Sequence, residues 1–295
     1  MAYTLPADYK QRPILIIGAG TLGRRIALMM ATQGGEVRIF DLSEEQRGKA
    51  KDFIEEQLPK LLEKFKAGIK GNITLFGDMA KAVENAWLIF EVIPEKLDLK
   101  KKIFGELDKL APADAILASN SSSFPTSEFI DSVSEAGKGR VVNTHFYMPP
   151  TQNAVEVMSC GVTEQPVLDA LITTLPSFGG LVPFLVHKES VGFIFNRVWA
   201  AIKRECLNVV ATGVSTPQDI DRIFQVNTGA PFGPFREMDQ VGLDVILAIE
   251  EHYAALTPTL PTGPRELLRK YIAEGKLGMK SGSGFYDGYE VAAKH

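Results

Sequence analysis

Short, unbroken apolar runs punctuate the first two-thirds of the chain, and between them apolar positions recur at helical spacing. Pro13-Ile14-Leu15-Ile16-Ile17 is the first run; with no polar alternation, it has the pattern of a strand buried on both faces. Residues 24–33 then read as a helix and Glu36-Val37-Arg38-Ile39-Phe40 as a second strand. Residues 52–66 carry Phe53, Ile54, Leu58, Leu61, Leu62 and Phe65 on one side, with Pro59 inside. A proline there lacks an N–H and clashes with the preceding turn, so a kink or break is expected. Ile73-Thr74-Leu75 and Trp87-Leu88-Ile89-Phe90 read as further strands, with a short helix at residues 79–83 between them. Pro94 suits the first turn of a helix carrying Leu97, Lys100, Ile103, Phe104 and Leu107. Ala115-Ile116-Leu117-Ala118 is a fifth strand, and two more, side by side, begin at Val141-Val142 and hold Val155-Glu156-Val157. A helix over residues 164–177 and a last strand over residues 181–186 close this part.

From Val191 the character changes. Val191-Gly192-Phe193-Ile194-Phe195-Asn196-Arg197 opens a helical run through Ala211, and Thr216-Pro217-Gln218-Asp219 and Gly233-Pro234-Phe235 start two more helices. Strands with helices followed by helices alone predict two domains, the second all-α. The expected boundaries are residues 1–187 and 188–295.

Composition narrows the function classes. The 295 residues are 45% hydrophobic and 23% charged with net charge −4, which is ordinary for a globular chain and offers no basic stripe for nucleic acid. Lys100-Lys101-Lys102 is the longest basic run and reads as a solvated helix face. The apolar runs are strand-length, below the ~18 residues of a membrane span, and the first residues show neither the basic flank nor the apolar core of a secretory signal. Cys160 and Cys206 are too few for a disulfide framework or a zinc site, so no metal is expected and a reducing, cytoplasmic setting is. The end, Ala293-Lys294-His295, is not a Ser-Lys-Leu address.

Two stretches carry the chemistry. Gly18-Ala19-Gly20-Thr21-Leu22-Gly23 follows the first strand at once and opens a helix, the setting in which G-x-G-x-x-G binds a dinucleotide. Gly18 makes the tight turn, Gly20 lets backbone approach the pyrophosphate, and Gly23 lets helix pack on strand. The free N–H groups around Thr21 and Leu22 at the helix start face the phosphates. Asp41 ends the second strand, where an acidic side chain accepts both ribose hydroxyls and repels a 2′-phosphate, so NAD is expected over NADP; Arg47 is the nearby cation that opposes this. Asp41 could otherwise cap the next helix, a task Ser43 does equally well. The second stretch is Asn143-Thr144-His145-Phe146-Tyr147-Met148-Pro149-Pro150 with Val155-Glu156-Val157. On adjacent strands Glu156 reaches one ring nitrogen of His145 and leaves the other for a substrate, which is how a general base is built. The alternative is a buried histidine bonded to a structural glutamate. Ser119-Asn120-Ser121-Ser122-Ser123 stands at a strand end, where open parallel sheets bind ligands, although such a loop serves equally as turn and cap.

Taken together these motifs resemble the short-chain 3-hydroxyacyl-CoA dehydrogenase family and its L-gulonate 3-dehydrogenase (lambda-crystallin) and carnitine dehydrogenase relatives. The resemblance continues through Glu91-Val92-Ile93-Pro94-Glu95 to Lys100, Gly192-Phe193-Ile194 with Asn196-Arg197, Gly233-Pro234-Phe235 with Met238-Asp239 and Gly242-Leu243-Asp244, and Lys280-Ser281-Gly282 with Gly284-Phe285-Tyr286. It implies an α/β Rossmann-type doubly wound sheet with an all-α C-terminal domain, NAD as cofactor and a homodimer. It also implies NAD-dependent interconversion of a 3-hydroxyacyl and a 3-oxoacyl group, of the kind found in fatty acid metabolism. His145 and Glu156 would be the acid–base pair, and Ser122 and Asn196 would hydrogen-bond the reacting oxygen. Glu95 and Lys100 would hold the nicotinamide half of NAD, and Lys280 would be a further cofactor contact. Of the other histidines, His187 falls at the domain boundary, His252 in a polar helix and His295 at the terminus. The chain departs from the family at Met148, where an asparagine is usual, in a 145–156 segment one residue short, and in an abbreviated helical hairpin between Lys51 and Asn72, the element that holds CoA. The alternatives are a dehydrogenase of a free hydroxy acid, L-gulonate- or carnitine-like, and an inactive NAD-binding, crystallin-like structural protein. A six-phosphogluconate-type enzyme is disfavoured because it relies on a catalytic lysine.

Overall fold

Residues 3–291 are described in a computed structural model of the chain; His295 and its neighbours lie outside them. The chain divides into two compact units, residues 1–194 and 195–295. The expected boundary stood at 187/188. Residues 188–194 stay with the first unit: Phe193 is buried beside Met158 and Val186, and the Ile194 N–H donates to Glu156 Oε1 at 2.8 Å.

The first unit is one eight-stranded sheet. Its strands are β1 (Ile14–Ile17), β2 (Glu36–Phe40), β3 (Asn72–Phe76), β4 (Leu88–Glu91), β5 (Ile116–Ser119), β6 (Val141–Phe146), β7 (Ala154–Ser159) and β8 (Val182–Val186). They run in the order β3-β2-β1-β4-β5-β6-β7-β8, parallel throughout except that β7 runs antiparallel to β6. The helices are α1 (Thr21–Met30), α2 (Glu44–Lys64), α3 (Met79–Ala82), α4 (Leu97–Leu110) and α5 (Gln165–Thr174). Successive β1 residues face opposite sides, as a pleated strand requires. Ile14 and Ile16 join one apolar layer with Ile26 of α1, Ile54 of α2 and Leu171 of α5. Leu15 and Ile17 join the other with Met79 of α3 and Phe104 of α4. This is the doubly wound sheet the resemblance implies, built on the strands the apolar runs predict. The strand order reverses at β1, between β2 and β4, and ligands bind such sheets in the crevice at that point.

Three local expectations change. α2 starts at Glu44, where the Ser43 hydroxyl caps the Gln46 N–H, and it continues unbroken through Pro59. Pro59 lies on the exposed side, so the carbonyl left without a partner is not forced into the core. α4 starts at Leu97 behind Lys96, which leaves Pro94 in the turn before the helix. Lys101 and Lys102 are exposed, but Lys100 is buried, so the basic run is only in part a solvated face.

The second unit contains α6 (Phe195–Ala211), α7 (Pro217–Thr228), α8 (Pro234–Val241), α9 (Leu243–Leu256) and α10 (Gly263–Ala273), with no strand among its described residues. Its core gathers Leu207, Phe235, Met238, Leu243, Ile246, Leu268 and Phe285. Asp239 of α8, fully buried, ties down the last loop by accepting the N–H groups of Phe285 and Tyr286 and the Tyr289 hydroxyl. No helix of the described residues is long and apolar enough to cross a membrane.

Candidate active site

A cavity of about 610 Å3 opens at the carboxyl end of the sheet in the first unit. Gly18, Gly20, Thr21, Leu22, Gly23, Asp41, Glu95, Ser122 and His145 all line it, so most of the candidate residues scattered from 18 to 145 meet in one place.

The glycines divide their tasks. Gly18 has φ +107, and a Cβ there would stand 2.4 Å from the Val92 carbonyl oxygen. A Cβ on Gly23 would stand 1.9 Å from the Gly18 oxygen, which explains the close packing of α1 on β1. A Cβ built on Gly20 would meet nothing within 4 Å, so that side of the backbone is open to a close-approaching ligand. α1 has no side-chain cap, which leaves the N–H groups of its first turn available to an anion. Asp41 is held at the loop: Oδ2 accepts the Ala19 N–H at 2.8 Å and Oδ1 the Ser43 N–H at 2.9 Å. Arg47 turns its guanidinium to the Asp41 carbonyl at 2.5 Å. These residues fit a dinucleotide with a free ribose. Because the carboxylate fixes the loop and would meet the ribose of a bound dinucleotide, Asp41→Ala should weaken NADH binding and erode the preference over NADPH. Kinetic efficiencies with the two cofactors measure this, and equal wild-type efficiencies would contradict the assignment.

Across the cavity a buried polar network supports Glu95. Lys100 Nζ lies 2.9 Å from Glu91 Oε1 and 3.2 Å from Glu95 Oε2, with its side chain 1% exposed. Glu91 accepts in addition the Ile93 N–H and, at 2.6 Å, the Ser119 hydroxyl. Glu95 accepts the Ser121 hydroxyl at 2.7 Å and the Ser122 N–H at 2.8 Å. Burial pushes the Glu95 carboxyl up, but the charge of Lys100 and the Ser121 and Ser122 donors outweigh it and hold the group below its ordinary value. Lys100 is thus placed beneath Glu95. Glu91, Ser119 and Ser121 went unassigned from sequence; the signal was a carboxylate closing the apolar run of β4, four residues ahead of Glu95 in the turn that leads to α4.

His145 and Glu156 are directly opposed residues of the antiparallel pair β6–β7, so both side chains project from the same face. The imidazole is 6% exposed and the glutamate 2%. Their nearest approach, Nδ1 to Oε2, is 3.6 Å. A closer donor to that oxygen is the Tyr147 hydroxyl at 2.6 Å, a neighbour that sequence reasoning did not single out. The ring of His145 stacks on Phe193, centroids 4.8 Å apart and 20° between planes, and meets Tyr147 edge-on. Asn120 anchors the strand end by accepting the Phe146 N–H at 2.9 Å. Met148 is 44% exposed and opens the turn that leads to β7. Asn196, on α6, and Lys280, paired with Asp244, belong to the second unit. Among the described residues no group of three or more His, Cys, Asp or Glu could hold a metal ion.

Residues 13–189 match the model of the 3-hydroxyacyl-CoA dehydrogenase NAD-binding domain and residues 192–288 that of the 3-hydroxyacyl-CoA dehydrogenase C-terminal domain. The human mitochondrial hydroxyacyl-coenzyme A dehydrogenase is 32% identical over 286 residues, covering 92% of this chain and 90% of its own. The crystal structure of (S)-3-hydroxybutyryl-CoA dehydrogenase from Ralstonia eutropha superposes with a TM-score of 0.80 at 29% identity over 95% of this chain and 99% of that one. A diketoreductase acting on dicarbonyl compounds does so at 0.77 and 30% identity, over 94% and 98%. With its glycine loop, its Asp41 and matches to both domains, the chain belongs to the 3-hydroxyacyl-CoA dehydrogenase family of NAD-dependent oxidoreductases.

Proposed function

We propose that the protein interconverts a 3-hydroxyacyl and a 3-oxoacyl group, with an acyl-CoA ester as leading substrate and His145 as the acid–base group. The observation that carries this reading is the single cavity that begins at the glycine loop and Asp41 and ends at an imidazole backed by a buried carboxylate. Bound NAD supplies the hydride acceptor. As the alcohol is oxidised, His145 removes the hydroxyl proton, since otherwise charge would build on the carbon being oxidised, and Glu156 stabilises the imidazolium that results. Ser122, beside Glu95 at the cavity wall, would hydrogen-bond the reacting oxygen; the family resemblance assigns the same role to Asn196 and a cofactor contact to Lys280. Glu95 holds the nicotinamide end and Lys100 holds Glu95.

A second reading, a free hydroxy acid or dicarbonyl substrate, is favoured by one feature. α2 ends at Lys64 and residues 65–71 return directly to β3, so a single helix stands where a hairpin would grip CoA. Weak CoA affinity is therefore expected. An assay panel of acetoacetyl-CoA, free acetoacetate and other free 3-oxo acids with NADH decides the carrier. A low-micromolar Michaelis constant for acetoacetyl-CoA would overturn the inference from the short segment. Turnover of no member of the panel would overturn the whole reading and leave an NAD-binding structural protein.

We further propose a homodimer. On α6 and α7 Phe195, Val198, Ile223 and Val226 are each more than half exposed, an apolar surface of the kind oligomers cover. Light scattering at micromolar concentration should give twice the 32.3 kDa chain mass; a monomer alone would contradict this. Cys160 and Cys206 are free thiols, which suits the reducing, cytoplasmic setting proposed for the chain.

A further inference from the structure

The oxygen of Glu156 that His145 approaches already has a closer partner. Tyr147 O–H donates to Oε2 at 2.6 Å, while His145 Nδ1 stands 3.6 Å from the same atom, too far for a hydrogen bond. That Nδ1 is buried and, among the described residues, has no other hydrogen-bond partner. The opposite oxygen, Oε1, accepts the Ile194 N–H at 2.8 Å, which pins the carboxylate so that it cannot rotate freely towards the imidazole. The phenol ring meets the imidazole edge-on at 4.7 Å, and Phe193 covers the other face of the imidazole.

We propose that Tyr147 is a positioning residue that tunes the pair: its hydroxyl occupies the carboxylate oxygen that the imidazolium would otherwise bond, and so restrains how strongly Glu156 favours the protonated form of His145. This deepens the reading of His145 as the acid–base group and rests on it. The physical argument is one of competition. A carboxylate favours a neighbouring imidazolium most when its oxygens lack other donors, and each donor it accepts spreads its charge. With Tyr147 in place, less of the carboxylate's charge is directed at the imidazole, which leaves His145 available as a base in the oxidative direction. Burial, and then the bond to Glu156, push the Tyr147 phenol well above its ordinary value, so it remains a protonated donor throughout the working range. Among the described residues, the other titratable and charged groups around the cavity that His145 lines are Asp41 and Glu95, at its wall, and Lys100, buried behind Glu95; residues 190–194 bring the apolar Phe193 against the ring.

Tyr147→Phe keeps the ring and removes only the hydroxyl. In that variant His145 can close on Oε2, and the half-maximal points of both the oxidative and reductive pH–rate profiles should move towards alkali by about one pH unit. Glu156→Gln should move them towards acid, and adding Tyr147→Phe to Glu156→Gln should move them no further, because the contested charge is gone. A simple packing role predicts none of these displacements. The same displacement should appear in the His145 ring signals of histidine-labelled protein followed by NMR over pH, with NADH bound and no substrate present. That readout does not depend on the substrate, so it judges Tyr147 even if acetoacetyl-CoA is not turned over, an outcome that would count against the proposed function alone. Profiles and ring signals that stay in place in Tyr147→Phe, or that move towards acid, would overturn the proposal.

Discussion

His145→Gln should lose about 10² to 10⁴ in turnover, the range that a positioned general acid–base contributes, while NADH binding stays close to wild type. Glutamine preserves a polar side chain of similar reach but cannot take up the alcohol proton. The cofactor half of the cavity, from Gly18 to Asp41, is built on β1, α1 and β2 and does not depend on β6. The loss should therefore fall on turnover and leave the dissociation constant for NADH, read by fluorescence, unmoved. Replacing Glu156 by Gln should cost less, and should cost most for reduction at high pH. There the carboxylate is needed to keep a proton on the imidazole. A His145→Gln enzyme of near wild-type activity would return the pair to the role of a buried structural contact.

The largest effect on stability is expected at Lys100. Its ammonium is the cation between Glu91 and Glu95, and its side chain and that of Glu91 are each 1% exposed. Lys100→Met fills the same space but leaves Glu91 as a buried carboxylate without its counter-charge, for which about 3 to 5 kcal/mol of unfolding free energy is the expected loss. Pairing it with Glu91→Gln removes the stranded charge and should restore part of that loss. Urea denaturation of the two variants tests this; a change below about 1 kcal/mol for Lys100→Met would show that the charges are not coupled. Glu95 adds a pH signature. Its carboxyl is held below the ordinary value, so its contribution is complete above the usual carboxylate range and fades as pH falls through the depressed value. Lys100→Met should remove most of that acid-side dependence and weaken NADH binding, since Glu95 then loses the charge that fixes it.

Why Lys100 was legible only in part shows where sequence reasoning stops. In a run of three lysines at the start of a helix, nothing local distinguishes the one that turns inward. Its partners are Glu91, on a strand that ends before the helix, and Glu95, in the turn between them. The resemblance named Lys100 as a cofactor contact, whereas the geometry places it beneath Glu95, and only the fold brings those charges together. The strands were more readily legible because β1, β4 and β5 are buried on both faces, and their only polar residues, Glu91 and Ser119, stand at strand ends and do not interrupt the run. The glycine loop was legible for a similar reason: Gly18 and Gly23 stand where any side chain would strike backbone. The opposition of His145 and Glu156 followed from two adjacent apolar runs, but its register depended on the length of the turn at residues 147–153. Tyr147 could not be found that way. It stands one residue beyond the end of β6, and an aromatic next to an apolar run ordinarily reads as packing, so nothing local announces that its hydroxyl bonds Glu156. Pro59 misled in the opposite direction, since a proline on the exposed side of a long helix does not have to break it.

The most direct test of the central claim is a single turnover with NADH carrying deuterium at the nicotinamide C4 position, presented with acetoacetyl-CoA and, separately, with free acetoacetate. The account predicts that wild-type enzyme delivers the label to C3 of the hydroxy product, that NADH consumption shows a primary isotope effect, and that His145→Gln slows the same transfer without abolishing cofactor binding. Binding of NADH with no label recovered at C3 from either substrate would contradict it.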